Sequence, residues 1–222
     1  MGKLIVFEGT DGSGKSTQFA LLKQRLEREG TAFRTIVFPQ YQEPSSALIR
    51  MYLGGEFGGD PADVNAYVAS TFYAVDRYAS FRKAWGADYQ SGGLILSDRY
   101  TTSNAVHQGA KEPPERQREF FSWLADLEFV HMELPRPDLV IYLDVPTELT
   151  ETLMRRREHD SGTHADIHEQ NLSYLRRCRE TGLAAADFFG WRLIRCSKVG
   201  KLRSIEDIHE EIYTLVKTCL ED

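Results

Sequence analysis

The sequence predicts an α/β fold, a five-stranded parallel β-sheet flanked by helices. Two observations carry that prediction. Five short apolar runs alternate with longer stretches of helical periodicity, as they do when helical crossovers join parallel strands. A glycine-rich motif also stands directly between the first apolar run and the first helical stretch.

Leu4 to Phe7 is short and wholly apolar, as a strand buried on both faces is. The pattern Gly9-x4-Gly14-Lys15-Ser16 follows at once. It fits a phosphate-cradling loop, in which backbone N–H groups wrap phosphate oxygens, the lysine reaches the outer phosphates and the serine ligates Mg²⁺. The candidate ATP-binding residues are therefore Gly9, Thr10, Asp11, Gly12, Ser13, Gly14, Lys15, Ser16 and Thr17. Behind the loop, Phe19, Leu22 and Leu26 share one face of a helix that Gly30 stops.

The second strand is expected over Thr35 to Phe38. The stretch "LGGEFGGDP" then reads as a surface turn that ends in a helix start, with Asp60 as N-cap, Pro61 at the first helical position and Asp63 in the first turn. From Pro61 to about Trp85 the spacing predicts one helix with Val64, Val68, Phe72 and Val75 as its core stripe. Tyr73 and Arg77 lie four apart, roughly 100° around from that stripe. An aromatic with an arginine on its flank suits base stacking and base-edge hydrogen bonding. It also suits the rim of an amphipathic helix, and periodicity leaves both Phe72 and Tyr73 open as the ligand-facing aromatic.

Strands are further expected over Leu94 to Ser97, Leu139 to Val145 and Arg192 to Cys196. In an open sheet of this kind, ligands bind outside the carboxyl ends of the strands. The third strand leads into Asp98 and Arg99, with Ser103 and Asn104 following. A carboxylate there is placed to hold Mg²⁺ or its water shell, and the arginine to grip a phosphate. After the fourth strand, "PTELTETLMRRREHD" reads as a helix burying Leu149 and Leu153 and ending in Arg155, Arg156 and Arg157. The polar segment behind it contains Gly162 and has no apolar period, so residues about 155–170 read as a mobile, positively charged lid over a phosphate site.

Composition sets outer bounds. At 222 residues the chain suits a single domain spanning 1–222, and 41% hydrophobic with 27% charged residues is ordinary for a globular protein. A net charge of −6 argues against a nucleic-acid polymer as partner. No apolar stretch approaches the roughly 20 residues of a membrane span, and the first strand begins almost at residue 1. The expectation is a soluble cytoplasmic protein. Cys178, Cys196 and Cys219 are scattered and odd in number, which fits buried or half-buried thiols rather than a zinc site or a disulfide framework.

These residues together resemble the thymidylate kinases, P-loop nucleoside monophosphate kinases that phosphorylate dTMP. The resemblance rests on "FEGTDGSGKST", "FPQY", "FYAVDR", "DRYTTSNAVHQ", "LPRPDLVIYLDV" and "ADIHEQ" followed by "YLRRCRETGLAAA", in order along nearly the whole chain. It implies a P-loop NTPase fold, usually as a homodimer, that moves the γ-phosphate of ATP to dTMP with Mg²⁺. Another P-loop small-molecule kinase, such as a deoxynucleoside kinase, and a non-catalytic nucleotide-binding regulator are the alternatives.

By the same resemblance, Lys15 and Ser16 serve ATP and Mg²⁺, and Asp11 faces the acceptor sugar and the metal. Pro39 lines the thymine methyl pocket, with Tyr41 and Arg99 toward the monophosphate. Tyr73 is favoured over Phe72 for stacking on thymine, and Arg77 and Asn104 read the base edge. Asp166 and Glu169 match the lid acids. Some positions depart from the pattern. Gln40 stands where many relatives have arginine, and His107 stands where tyrosine is usual and helps exclude a 2′-hydroxyl. Neither the phosphate loop nor position 167, an isoleucine, carries the catalytic arginine that some members have there. That charge must come from Arg155 to Arg157, or from elsewhere.

Overall fold

The computed structural model describes residues 1–150 and 172–221. Its centre is a wholly parallel sheet of five strands in the order β2-β3-β1-β4-β5. The strands are β1 (Lys3–Glu8), β2 (Arg34–Val37), β3 (Leu94–Asp98), β4 (Leu139–Asp144) and β5 (Arg192–Arg195). Each apolar run of the sequence became a strand, with ends displaced by one residue at most.

Alternation along the strands builds a core on each face. On one face, Ile5, Phe7, Leu96 and Ile141 pack beneath Phe19, Leu22 and Leu26 of α1 (Lys15–Arg28). On the other, Leu4, Val6, Ile95 and Val140 meet Phe81, Trp85 and Tyr100. Among the described residues the remaining α-helices are α2 (Ala47–Leu53), α3 (Ala66–Ser80), α4 (Gly86–Gln90), α5 (Thr101–Ser103), α6 (Pro114–Asp126), α7 (Leu172–Phe189) and α8 (Ile205–Glu221). Ile208, Ile212 and Val216 of α8 join the α1 side of the core. Leu149 is partly buried against the same cluster, and Leu153 lies outside the described residues.

One helix departs from expectation in both its start and its buried face. Asp60, Pro61 and Asp63 do form a capping box, but on a short 3₁₀ turn (Pro61–Asp63). Val64 is extended, and α3 begins after Asn65, whose side chain accepts the N–H of Val68 at 2.9 Å. Val68 and Val75 are 43% and 50% exposed, so the valine stripe does not face the core. Ala66, Ala69, Ala74 and the paired Asp76 and Arg77 are buried instead. Small residues let α3 approach its neighbours closely, and the two charged ones go inward because each has partners there. Asp76 accepts the Gln40 N–H at 2.8 Å and the Ser45 hydroxyl at 2.6 Å.

The segment after β5 adds an element with no counterpart in the sequence reading. Ser197–Lys198 and Lys201–Leu202 pair antiparallel as β6 and β7. The two-residue connection, Val199 and Gly200, has φ of 50° and 72°, as hairpin turns matched to strand twist require. A valine at positive φ is uncommon, which is why no turn signal stood out.

None of the three cysteines is in a disulfide among the described residues; Cys178 and Cys196 are buried and Cys219 partly so. Burial pushes the Cys178 and Cys196 thiols up to about 12. Among the described residues, no helix is long and apolar enough to cross a membrane.

Candidate active site

The carboxyl end of β1 turns into the glycine loop. A Cβ on Gly9 would come within 2.7 Å of the Ser13 hydroxyl and 3.0 Å of the Leu143 carbonyl oxygen, so only glycine lets the loop close against β4. Gly14, at φ 83°, is the left-handed residue that feeds the chain into α1. No side chain among the described residues caps that helix N-terminus, the arrangement in which an anion takes the N–H groups. A cavity of about 350 Å³ opens here, lined by loop residues 11–17 together with Asp98 and Arg99. Of the sequence-expected ATP residues, Asp11, Gly12, Ser13, Gly14, Lys15, Ser16 and Thr17 line it. Thr10 is buried, and the Gly9 carbonyl accepts the Lys15 ammonium at 3.1 Å.

A second cavity, of about 250 Å³, lies beside the first and shares Asp11 and Arg99 with it. The tips of β2 and β3 bring Pro39, Tyr41, Arg99, Ser103, Asn104 and His107 to it, and α3 brings Tyr73 and Arg77. The Phe38–Pro39 peptide is cis. Phe72 is not among the lining residues; the 100° step of a helix turns it to Phe57, ring to ring at 5.9 Å. Beyond α5 the chain continues as a π-helical turn over Asn104–Gln108, a wider turn that recurs at functional sites.

The wall between the cavities is a charge cluster. Arg99 contacts Asp11, lies 3.6 Å from Glu8, and donates to the Ser103 hydroxyl at 3.1 Å. It has φ of 67°, an uncommon backbone state for a non-glycine residue and one that recurs at ligand sites. Burial opposes its charge, but Asp11 and Glu8 outweigh that and hold its pKa above the ordinary value. Lys15 is pulled below its usual value, by burial first and by Arg99 second, against Asp11 and Glu8. The His107 ring stands 3.1 Å from Arg99 through Nε2. A guanidinium only donates, so Nε2 accepts and the proton sits on Nδ1, which faces the Cys178 sulfur at 3.6 Å.

Two carboxylates that sequence reasoning did not single out organise these arginines. Glu8, fully buried, accepts the Gly9 N–H at 2.9 Å and the Thr102 and Ser103 hydroxyls at 2.7 and 2.6 Å. Glu128, also fully buried, takes Nε and Nη2 of Arg77 and the Thr101 hydroxyl. Arg77 thus lines the second cavity with most of its guanidinium already engaged, and Nη1 donates to the Tyr100 carbonyl at 3.3 Å. The one sequence signal for Glu128 is its place four residues after Leu124 of the buried face of α6, in the π-helical turn Leu127–His131 that follows. Gln108 also lines the second cavity, and its Oε1 has no hydrogen-bond partner among the described residues.

The donor set fits Mg²⁺ in the manner of phosphate loops. Ser16 and Asp98 line the loop cavity together, and Asp98 Oδ1 is buried with no partner among the described residues. A hydroxyl, one or two carboxylate oxygens and substrate phosphates are how Mg²⁺ is commonly held in such sites. Among the described residues, no cluster of three or more His, Cys, Asp or Glu side chains offers an all-protein metal site. Arg155, Arg157 and Glu169, assigned from sequence to a lid, lie outside the described residues.

Two cavities divided only by a shared arginine and aspartate imply two ligands that meet, and one of them opens onto a phosphate loop. That is the geometry of a P-loop phosphotransferase. A family model, thymidylate kinase, matches residues 7–212, and the chain belongs to the thymidylate kinase family. It is 31% identical over 213 residues to a probable thymidylate kinase of Pyrobaculum aerophilum, covering 96% of this chain and 95% of the relative. It is 30% identical over 192 residues to the thymidylate kinase of Mycobacterium tuberculosis, covering 85% and 87%. The solved thymidylate kinase of Candida albicans superposes with a TM-score of 0.71 at 21% identity, over 98% of this chain and 92% of that one, a likeness of fold.

Proposed function

We infer that the protein transfers the γ-phosphoryl group of ATP to dTMP, releasing dTDP and ADP. The observation that carries this reading is the shared Asp11–Arg99 wall, which puts the phosphate ends of two nucleotides at one place. The loop cavity takes ATP and the second cavity takes dTMP. Tyr73 stacks on the base while Arg77 and Asn104 meet its edge, Pro39 flanks the methyl group, and Tyr41 and Arg99 meet the monophosphate. His107 bounds the sugar side, and Asp11 lies between sugar and metal.

Bringing two polyanions together is the main obstacle to this reaction. A phosphate monoester has its second pKa near ~6, so the acceptor is already a dianion at neutral pH and needs no strong general base. Its oxygen attacks the γ-phosphorus, the bond to the β–γ bridging oxygen breaks, and ADP leaves with that electron pair. Lys15 and the loop amides hold the donor, and Arg99 orients the acceptor. Ser16 and Asp98 would hold Mg²⁺, which would supply charge neutralisation on the donor phosphates.

Sequence alone supports a lid over 155–170 in which Arg155 and Arg157 meet the transferred group and Glu169 lies near the metal. The chain is read as one kinase domain. A cytoplasmic setting suits three cysteines that remain thiols.

A coupled assay for ADP release tests the reading, with ATP against dTMP, dUMP, thymidine or no acceptor. The expected result is release that depends on dTMP and is far slower with thymidine. ATP binding without dTMP-dependent ADP release would overturn it in favour of a non-catalytic nucleotide binder.

The outward face of α3 supports a homodimer. Val68, Val75 and Tyr78 recur along that face, with Leu48 of α2 also exposed, a patch that a second copy of the chain covers. Val75→Asp places a charge in it. Sedimentation velocity is expected to show a dimer for the native protein and a monomer for the variant; a native monomer at micromolar concentration would contradict the proposal.

A further inference from the structure

A third cavity, of about 290 Å³, lies at the amino ends of β4 and β5, whereas both nucleotide cavities lie at the carboxyl end of the sheet. It is distinct from them yet shares a wall with the acceptor cavity. The chain from Tyr100 to Gln108 divides the two: Tyr100, Ser103 and Asn104 line the acceptor side, and Thr101, Thr102 and Ala105 line the other. None of the residues lining this cavity enters the mechanism above.

Its chemistry is specific. Phe129, Phe189 and Trp191 form an aromatic wall, and Phe189 and Trp191 are fixed in parallel stacking, 5.6 Å apart with an interplanar angle of 9°. Arg136 and Arg192 stand at the rim and are exposed. Among the described residues neither forms an ion pair; Arg136 rests over the Phe129 ring at 4.6 Å. The one acidic residue in the lining, Asp138, is already engaged by the Leu4 N–H at 2.8 Å and by Lys3 at 3.8 Å. An apolar slot with two uncompensated guanidinium groups at its mouth selects a flat aromatic body with an anionic end.

The inner wall is wired to the acceptor site. Thr101 donates its hydroxyl to Glu128, the carboxylate that clamps Arg77, at 2.7 Å. Thr102 donates to Glu8, which lies beside Arg99, at 2.7 Å. A ligand that shifts these hydroxyls therefore moves the partners of both acceptor-site arginines.

We propose that this cavity is a second ligand site, for a planar aromatic anion, and that its occupancy alters dTMP binding through Thr101 and Thr102. The ligand class goes beyond the kinase reading; the coupling rests on that reading's assignment of the acceptor cavity.

The probe is 8-anilinonaphthalene-1-sulfonate, with energy transfer from tryptophan that Trp191→Phe diminishes as the signal. One probe molecule is expected to bind per chain. The double variant Arg136→Glu/Arg192→Glu is expected to weaken it at least about tenfold. The charge-matched control Lys198→Glu/Lys201→Glu, in the hairpin beyond the opposite end of β5, is expected to leave it within about twofold. Saturating dTMP should shift the probe's Kd by about fivefold, and the probe should shift the Kd of dTMP by the same factor, because coupling between sites is reciprocal. Full displacement by dTMP or ATP would place the probe in a nucleotide cavity and overturn the proposal. So would indifference to the arginine variants, or saturable probe binding with no effect on dTMP. A titration of dTMP without probe guards the acceptor reading: if dTMP does not bind at all, that reading fails with the coupling, and the arginine variants alone decide the ligand class.

Discussion

Lys15→Ala is expected to lower turnover on the order of 10³-fold at saturating ATP and dTMP, the scale seen when one preorganised donor to a developing anion is removed. Lys15 is buried in the loop cavity, and its ammonium hydrogen-bonds only the Gly9 carbonyl among the described residues. Burial and Arg99 both work against its charge, so the folded protein gains little from keeping it there. On the proposed reading the γ-phosphate supplies the missing counter-charge. The variant should therefore melt within about 4 °C of the native protein, separating a chemical loss from a folding one. A quenched-flow or steady-state measurement of ADP release decides it, and a near-native rate would remove Lys15 from the transition state.

Glu128→Ala is expected to produce the largest loss of stability. The Arg77–Glu128 pair is inside the protein, with side-chain exposures of 1% and 0%. Removing one member leaves the Arg77 guanidinium uncompensated in a dry site, at a cost of about 3–5 kcal/mol. For a chain of this size that lowers the melting temperature by about 10 °C. Because Glu128 also holds Arg77, which lines the acceptor cavity, the dTMP KM should rise about tenfold or more. The paired replacement Arg77→Met/Glu128→Met separates the two effects. Replacing both charges with apolar groups should restore much of the melting temperature and leave dTMP binding poor. Calorimetry with a dTMP titration measures both quantities. Native stability and native dTMP affinity in Glu128→Ala would contradict the role given to the pair.

The phosphate loop and the strand tips were the legible part of this site because their chemistry is local. Gly9, Gly14, Lys15 and Ser16 state their geometry in a few consecutive residues. The rule that ligands gather at the carboxyl ends of parallel strands then selected Arg99, Ser103 and Asn104, and the family resemblance added Pro39, Tyr41 and His107; all six line one cavity. The buried carboxylates were harder to see. Glu8 reads as the polar end of a strand and Glu128 as one more charge on a helix, and only tertiary packing brings them to Arg99 and Arg77.

The valines of α3 mark a different limit. Helical period tells which residues share a face, and it does not tell whether that face meets the core or the outside. Val68 and Val75 therefore read as interior, while the face that turns inward is built of alanines and paired charges, whose low hydrophobicity hides it. The hairpin of β6 and β7 was missed for a local reason, since Val199-Gly200 lacks the asparagine or aspartate that usually precedes glycine in such turns.

The central claim is that two nucleotides lie end to end across Arg99 and Asp11. The most direct measurement of it is isothermal titration with adenosine and thymidine joined 5′ to 5′ through a polyphosphate chain. If the two cavities are occupied at once, this single molecule binds one per chain. It also binds at least about 10²-fold more tightly than ATP or dTMP alone, because linking makes the second contact intramolecular. An affinity no better than that of ATP, unchanged when the thymidine end is removed, would show that nothing occupies the second cavity and would contradict the account.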